Sequence, residues 1–222
     1  MASIAALAEY PGRVEKLFLN KEASANGVYA LNLWALNVPI TVMVDENVPF
    51  RRVGNSYNAW FAKIGNDGSI WGPIIEKAFS KLHGNYARIE FGDSISGVSV
   101  LNGSPYLRYF HNNIGKEDLW NIISKYDKEE HRGLLIANTP GESDSSTNRF
   151  GLVNNHSYSI LRAVTLRNGQ RLIKVRNPWA KESFTGDYSD SSPLMTQAVR
   201  NELNHQVGDD GAFYMSLEQY YE

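Results

Sequence analysis

Gly151-Leu-Val-Asn-Asn-His156-Ser-Tyr-Ser-Ile160, with the following Leu161-Arg-Ala-Val-Thr-Leu-Arg-Asn168-Gly169 and the closing Ile173-Lys-Val-Arg-Asn177-Pro-Trp179, decides the fold of this chain. Residues 157–166 and 171–176 are rich in Ile, Leu, Val and Tyr. Asn-Gly between two such runs is a strong hairpin signal, because a two-residue turn needs backbone conformations these residues tolerate. The two runs therefore pair antiparallel. His156 stands 12 residues before Asn168, and Asn177 stands 8 after Gly169, so both fall near the open end of the ribbon, where side chains converge.

A histidine and an asparagine held this way suit one chemistry. Imidazole titrates near neutrality, so it takes a proton from a thiol and returns it to a leaving amine. An amide oxygen accepting from the other ring nitrogen fixes the tautomer without adding charge, as in Cys-His-Asn proteases. That chemistry requires a cysteine, and the sequence contains none.

The hairpin, Arg176-Asn177-Pro178-Trp179, and the later Asp210-Gly-Ala-Phe-Tyr-Met-Ser216 resemble the second half of the calpain family's papain-like cysteine endopeptidase core. Trp71-Gly-Pro-Ile-Ile-Glu76-Lys-Ala-Phe-Ser-Lys-Leu-His-Gly84-Asn-Tyr86 resembles a helix of the same family, and Tyr29 to Pro49 resembles its hairpin. The resemblance implies an α+β, papain-like cysteine proteinase fold. An incomplete helical first lobe would span residues 1–103, and an antiparallel β second lobe, 104–222, would carry His156 and Asn177. It implies His156 as general base and acid and Asn177 as its orienter. Met1 to Ala8 resembles the continuation of the family's Gly-Asp-Cys-Trp helix, which puts the expected nucleophile about three positions before Met1. The 222-residue chain alone is then expected to be inactive; the alternative is a non-catalytic module that binds peptide or protein partners. A papain-fold acyl transferase fits less well, because that group pairs histidine with aspartate.

Calcium is the family's usual activator, and Asp190 and Asp210 stand at two of its second-lobe positions. Ser183 and Ala212 stand where relatives carry glutamates. Glu182 is one residue out of register, which in extended backbone points its side chain away. The resemblance therefore implies a weakened or lost calcium site.

Composition narrows the partners. Charge is nearly balanced, 22 basic against 24 acidic residues, with no basic run to attract nucleic acid or an anionic membrane. No apolar run approaches the ~18 to 20 residues needed to cross a bilayer. The apolar start, Met1 to Ala8, lacks the basic flank of a secretory leader. Protein or peptide substrates and a cytoplasmic setting are the expectation.

Along the rest of the chain, residues 2–18 have helical spacing interrupted at Pro11-Gly12. Tyr29–Leu36 and Val38–Val44 read as strands, with Asp45-Glu46-Asn47 as a solvated turn. Trp71 to Leu82 places Trp71, Ile74, Ile75, Ala78, Phe79 and Leu82 on one helical face, with Gly84 as the stop. The Gly-, Ser- and Asn-rich residues 91–105 are expected to lack a long regular element. A short helix over 115–126 and a buried strand over 133–137 open the second half. Pro140 to Asn148 reads as a polar loop bordering the site, mobile by the resemblance. Trp179 is expected to shield the His156–Asn177 pair. His83, His111, His131 and His205 read as surface or structural.

Overall fold

The computed structural model describes residues 1–90, 92–128 and 133–222; Phe91 and His131 lie outside them. The fold is α+β with all strand pairs antiparallel. Contacts divide the chain into two compact units, one of residues 7–106 with Met1 and Ser3, the other of residues 107–222 with Ala2 and 4–6.

The first unit is built on two hairpins and two main helices. The N-terminal stretch, whose residues are divided between the two units, forms α1 (Ala2–Ala8), and α2 (Pro11–Glu15) follows in the first, with Pro11 opening it where its missing N–H costs nothing. Strands β1 (Val28–Ala35) and β2 (Val38–Asp45) pair in register through a tight turn in which Leu36 and Asn37 both have positive φ. Asp45 accepts from the Asn47 N–H and from Lys77, so the acidic turn is an ordinary capped turn. A second hairpin, β3 (Phe50–Val53) with β4 (Ser56–Ala59), was not expected from the sequence.

Helix α3 (Trp71–His83) follows the 3.6-residue pattern and ends at Gly84, φ 100°. Its buried face is Ile74, Ile75 and Ala78 together with Pro73, Glu76 and Ser80. Trp71, expected inside, is 38% exposed because it stands on the first helical position, before the apolar stripe reaches the core. Residues 92–105 also depart from expectation: α4 (Ser94–Asn102) is regular. Asp93 caps it by accepting from the Ile95 N–H, and Gly103 in the left-handed region ends it. Two good caps outweigh the poor propensity of Ser and Gly in a nine-residue helix. Glycine at 97 also has a packing reason, since a Cβ there would stand 2.3 Å from the Ser3 hydroxyl.

The second unit carries the hairpin. α5 (Lys116–Asp127) is followed by a four-stranded sheet in the order β5 (Leu135–Asn138), β6 (Ser157–Thr165), β7 (Arg171–Arg176), β8 (Ala212–Ser216). α6 (Gln197–Leu203) and α7 (Leu217–Tyr221) complete it. Alternation along β7 and β8 sends Ile173, Val175, Phe213 and Met215 to one face and Leu172 and Tyr214 to the other. The first face packs on Leu119, Trp120 and Ile123 of α5, the second on Leu203 and Val199 of α6. Covering both faces explains why every residue of β8 is buried, four of the five being Ala, Phe, Tyr and Met. Leu172 and Ile173 are fully buried, each contributing about 1.5–3 kcal/mol from burial.

Candidate active site

The asymmetry of the hairpin is taken up in the middle of β6. Ile160 pairs with Val175 but Arg162 pairs with Lys174, so one extra residue bulges out of β6. The bulge keeps Tyr158 and Ile160 on the face shared with Ile173 and Val175. Continuing both alternations past the strand ends puts His156 and Asn177 on that same face. The imidazole Nε2 of His156 lies 2.9 Å from the side-chain oxygen Oδ1 of Asn177.

Which ring nitrogen carries the proton follows from the neighbours of the amide. The Trp179 backbone N–H donates to Asn177 Oδ1 at 3.0 Å, and Asn177 Nδ2 donates to the Lys181 carbonyl at 3.0 Å. An N–H only donates and a carbonyl only accepts, so the amide has one orientation. Its oxygen therefore faces His156, and Nε2–H must donate. In the neutral ring that leaves the lone pair on Nδ1, the nitrogen able to take up a proton.

The pair is held from several sides. Asn177 is 3% exposed, and its N–H donates to the Gly211 carbonyl at 2.8 Å. The His156 N–H donates to the Thr139 hydroxyl at 3.1 Å, which in turn donates to the Val153 carbonyl at 2.6 Å. The Thr139 N–H closes the loop on the His156 carbonyl. Tyr158 meets the imidazole edge-on, ring centroids 5.0 Å apart, while its hydroxyl accepts from the Val153 N–H. Trp179 lies over the imidazole at 4.3 Å, tilted 51°. It is 48% exposed, so it covers one side of the ring and leaves its own outer face to solvent.

Burial pushes the His156 pKa below its ordinary value, against the opposing effects of the Asn177 hydrogen bond and the negative charge of Asp144. The neutral imidazole is thus the favoured form near neutrality. Because the folded pKa lies below the unfolded one, the associated stability is present above pH ~6.5 and lost as pH falls through the folded value. A thermal-unfolding series from pH 8 down to pH 5 is expected to show His156→Gln losing less stability on acidification than the parent.

Beside His156 and Asn177, two positions carry backbone strain. Asn155 and Ala180 have φ of 48° and 52°, a region that glycine occupies freely and other residues at a cost. Asn155 is held there by its N–H to the Pro140 carbonyl. The polar loop before the histidine is tied down on its own side, with the Asn154 N–H on the Ser146 carbonyl and the Asn148 N–H on that of Leu152.

The acidic positions arrange themselves differently from the expectation. Residues 180–185 are not a strand, and Glu182 does not point away: its Oε1 faces the Asp190 N–H at 3.4 Å, and its own N–H donates to Asp209. Burial, then the charges of Asp190, Asp210 and Asp209, push the Glu182 pKa up to about 7. Ser183 turns its hydroxyl to the Gly151 carbonyl, and Asp210 accepts from the Ala212 N–H. Both carboxylate oxygens of Asp190 are engaged, Oδ1 by His205 Nε2 at 2.5 Å and Oδ2 by the Gly208 N–H at 3.1 Å. Calcium takes six to eight oxygens at 2.3–2.6 Å. Both Asp190 oxygens are already taken by protein donors, and among the described residues no group of three or more His, Asp or Glu side chains is gathered to hold a metal ion.

The sequence reading singled out His156, Asn177 and Trp179, which the structure brings together, and missed Thr139, Tyr158 and Gly211 around them. Tyr158 was findable, since it lies two residues after His156 and so on the same face. Thr139 and Gly211 act from other strands, and nothing local marks them. Of the other histidines, His83 and His111 make ring-to-backbone contacts, with the carbonyls of Phe79 and Tyr221, and His205 is buried. No helix among the described residues is long and apolar enough to cross a membrane.

The calpain family cysteine protease profile matches residues 1–222. The chain is 29% identical to the maize calpain-type cysteine protease DEK1 over 99% of its own length and 10% of that protein. It is 29% identical to human calpain-9 over 87% of the chain and 28% of the relative, and 26% identical to the bovine calpain-2 catalytic subunit over 99% and 32%. The chain thus spans between a tenth and a third of the length of these relatives. With a whole-chain match, it belongs to the calpain family of cysteine proteases.

Proposed function

We propose that this chain supplies the proton-transfer half of a cysteine endopeptidase acting on polypeptides. His156 would serve as general base and acid through Nδ1, and Asn177 would orient it. The carrying observation is the 2.9 Å hydrogen bond from Nε2–H to an amide whose orientation two other contacts fix. In the reaction, Nδ1 takes the proton of a cysteine thiol as sulfur attacks the peptide carbonyl, then passes it to the leaving amine. Water repeats the sequence on the thioester. The amide stabilises the imidazolium by orientation alone, without a counter-charge.

The chain has no cysteine, so it forms no thioester by itself. That fact favours a second reading, a calpain-like module that binds peptides without cutting them. We place the reaction in the cytoplasm, where a thiol nucleophile stays reduced. The calcium dependence that the resemblance implies belongs to the proposal only at the family level.

The discriminating experiment joins to Met1 the Gly-Asp-Cys-Trp-bearing portion of a family member and assays an unfolded protein substrate. The 222-residue chain alone is expected to give no cleavage. The fusion is expected to cut, and His156→Ala is expected to reduce that cleavage by about a thousandfold or more. A folded fusion that binds peptide but does not cut supports the binding module; cutting unaffected by His156→Ala overturns the assignment.

A further inference from the structure

We infer that His205 fastens the loop pair that the resemblance assigns to calcium, so that this unit holds the Asn177 turn without a metal ion. Two loops flank the turn, 178–190 and 204–211. They are stapled at one end by the Asn177 N–H on the Gly211 carbonyl and in the middle by the Glu182 N–H on Asp209. At the far end Asp190 accepts from His205 Nε2 and from the Gly208 N–H, and its carbonyl accepts from Arg200. Every link is a protein group.

The placement of His205 is built, not incidental. Helix α6 ends in Asn204 with φ 50°, a left-handed stop that turns the chain and drops the next residue inward. The His205 N–H then caps the helix on the Arg200 carbonyl. The residue is 9% exposed, and its ring stands edge-on to Tyr214 at 5.2 Å. A rigid donor therefore meets an oxygen of Asp190, one of the two acids retained at family calcium positions. The second oxygen is filled by Gly208, and the family's two glutamate positions are Ser183 and Ala212. Where a cation would bridge carboxylates from both loops, an imidazole and backbone N–H groups do so.

This inference rests on the His156–Asn177 reading only for its bearing on catalysis; its calcium and melting arms read the same if that pair has no catalytic use. The test uses the full chain. Thermal unfolding in 5 mM calcium chloride and in EGTA, roughly the range in which a functional site would saturate, is expected to differ by less than about 1 °C. Terbium titration is expected to give no saturable sensitised emission. His205→Ala is expected to melt about 5 °C or more below the parent, with His205→Gln recovering part of the loss through its amide donor. In folded His205→Ala the nitrogen shifts of His156 are expected to move, reporting a loosened Asn177 turn. A saturable calcium-dependent rise of about 5 °C in the parent would overturn the inference, as would a His205→Ala protein with parental melting and unchanged His156 shifts. Should His205→Ala not fold, the calcium arm on the parent decides.

Discussion

Gly211→Ala is expected to lower stability by about 3 kcal/mol and to dislodge the turn that presents Asn177. Gly211 has φ 80°, and a Cβ there would stand 2.7 Å from the Asn177 carbonyl oxygen, 2.9 Å from Ala180 Cα and 3.0 Å from the Lys181 nitrogen. All three are backbone atoms, so no side-chain rotation relieves the contact. The left-handed conformation alone costs an alanine about 1 kcal/mol. Gly169→Ala isolates that part, because Gly169 has φ 88° with nothing within 4 Å. Urea denaturation of both variants separates the two costs. A Gly211→Ala loss no larger than that of Gly169→Ala would show that the turn gives way easily, contrary to this account.

Asn177→Asp is expected to raise the His156 pKa by about 1–2 units, reversing its direction. The new carboxylate keeps one oxygen at the acceptor position 2.9 Å from Nε2 and 3.0 Å from the Trp179 nitrogen. The parent imidazole is held low mainly by burial, and a negative charge in contact outweighs that burial. The linkage changes sign accordingly. In the parent, stability tied to His156 is lost as pH falls through the lowered pKa; in the variant it is present below pH ~6.5 and lost as pH rises through the raised one. The second carboxylate oxygen replaces Nδ2 and faces the Lys181 carbonyl at 3.0 Å, an acceptor against an acceptor. Part of the gain is therefore spent on moving that loop, and a positively charged imidazole at neutral pH is a poor base. A nuclear magnetic resonance titration of His156 in both proteins reads the shift directly.

The fold of the second unit was legible where periodicity and turn chemistry agreed. Asn168-Gly169 and the apolar runs beside it give β6 and β7 within a residue of their observed ends. The same holds for α5 and for the β1–β2 hairpin, because each is specified by its own neighbours in sequence. What was not legible depends on partners far along the chain. The bulge near Leu161 has no local mark in the sequence, and α4 survives a Gly- and Ser-rich composition through Asp93 and Gly103. Glu182 could not be placed by strand alternation, since residues 180–185 follow an irregular path set by the Ala180 turn and by Asp209. At the site, the two residue types that announce proton transfer were visible. Of the groups that hold them, Tyr158 was within reach of strand alternation, while Thr139 and Gly211 were not.

A long-range proton–nitrogen correlation spectrum of the His156 imidazole tests the central claim most directly. The account predicts a ring protonated at Nε2 and bare at Nδ1 at neutral pH, titrating below the ordinary histidine value, with the preference for Nε2–H lost in Asn177→Ala. A ring protonated at Nδ1, or one whose tautomer and midpoint are the same in Asn177→Ala as in the parent, would contradict it.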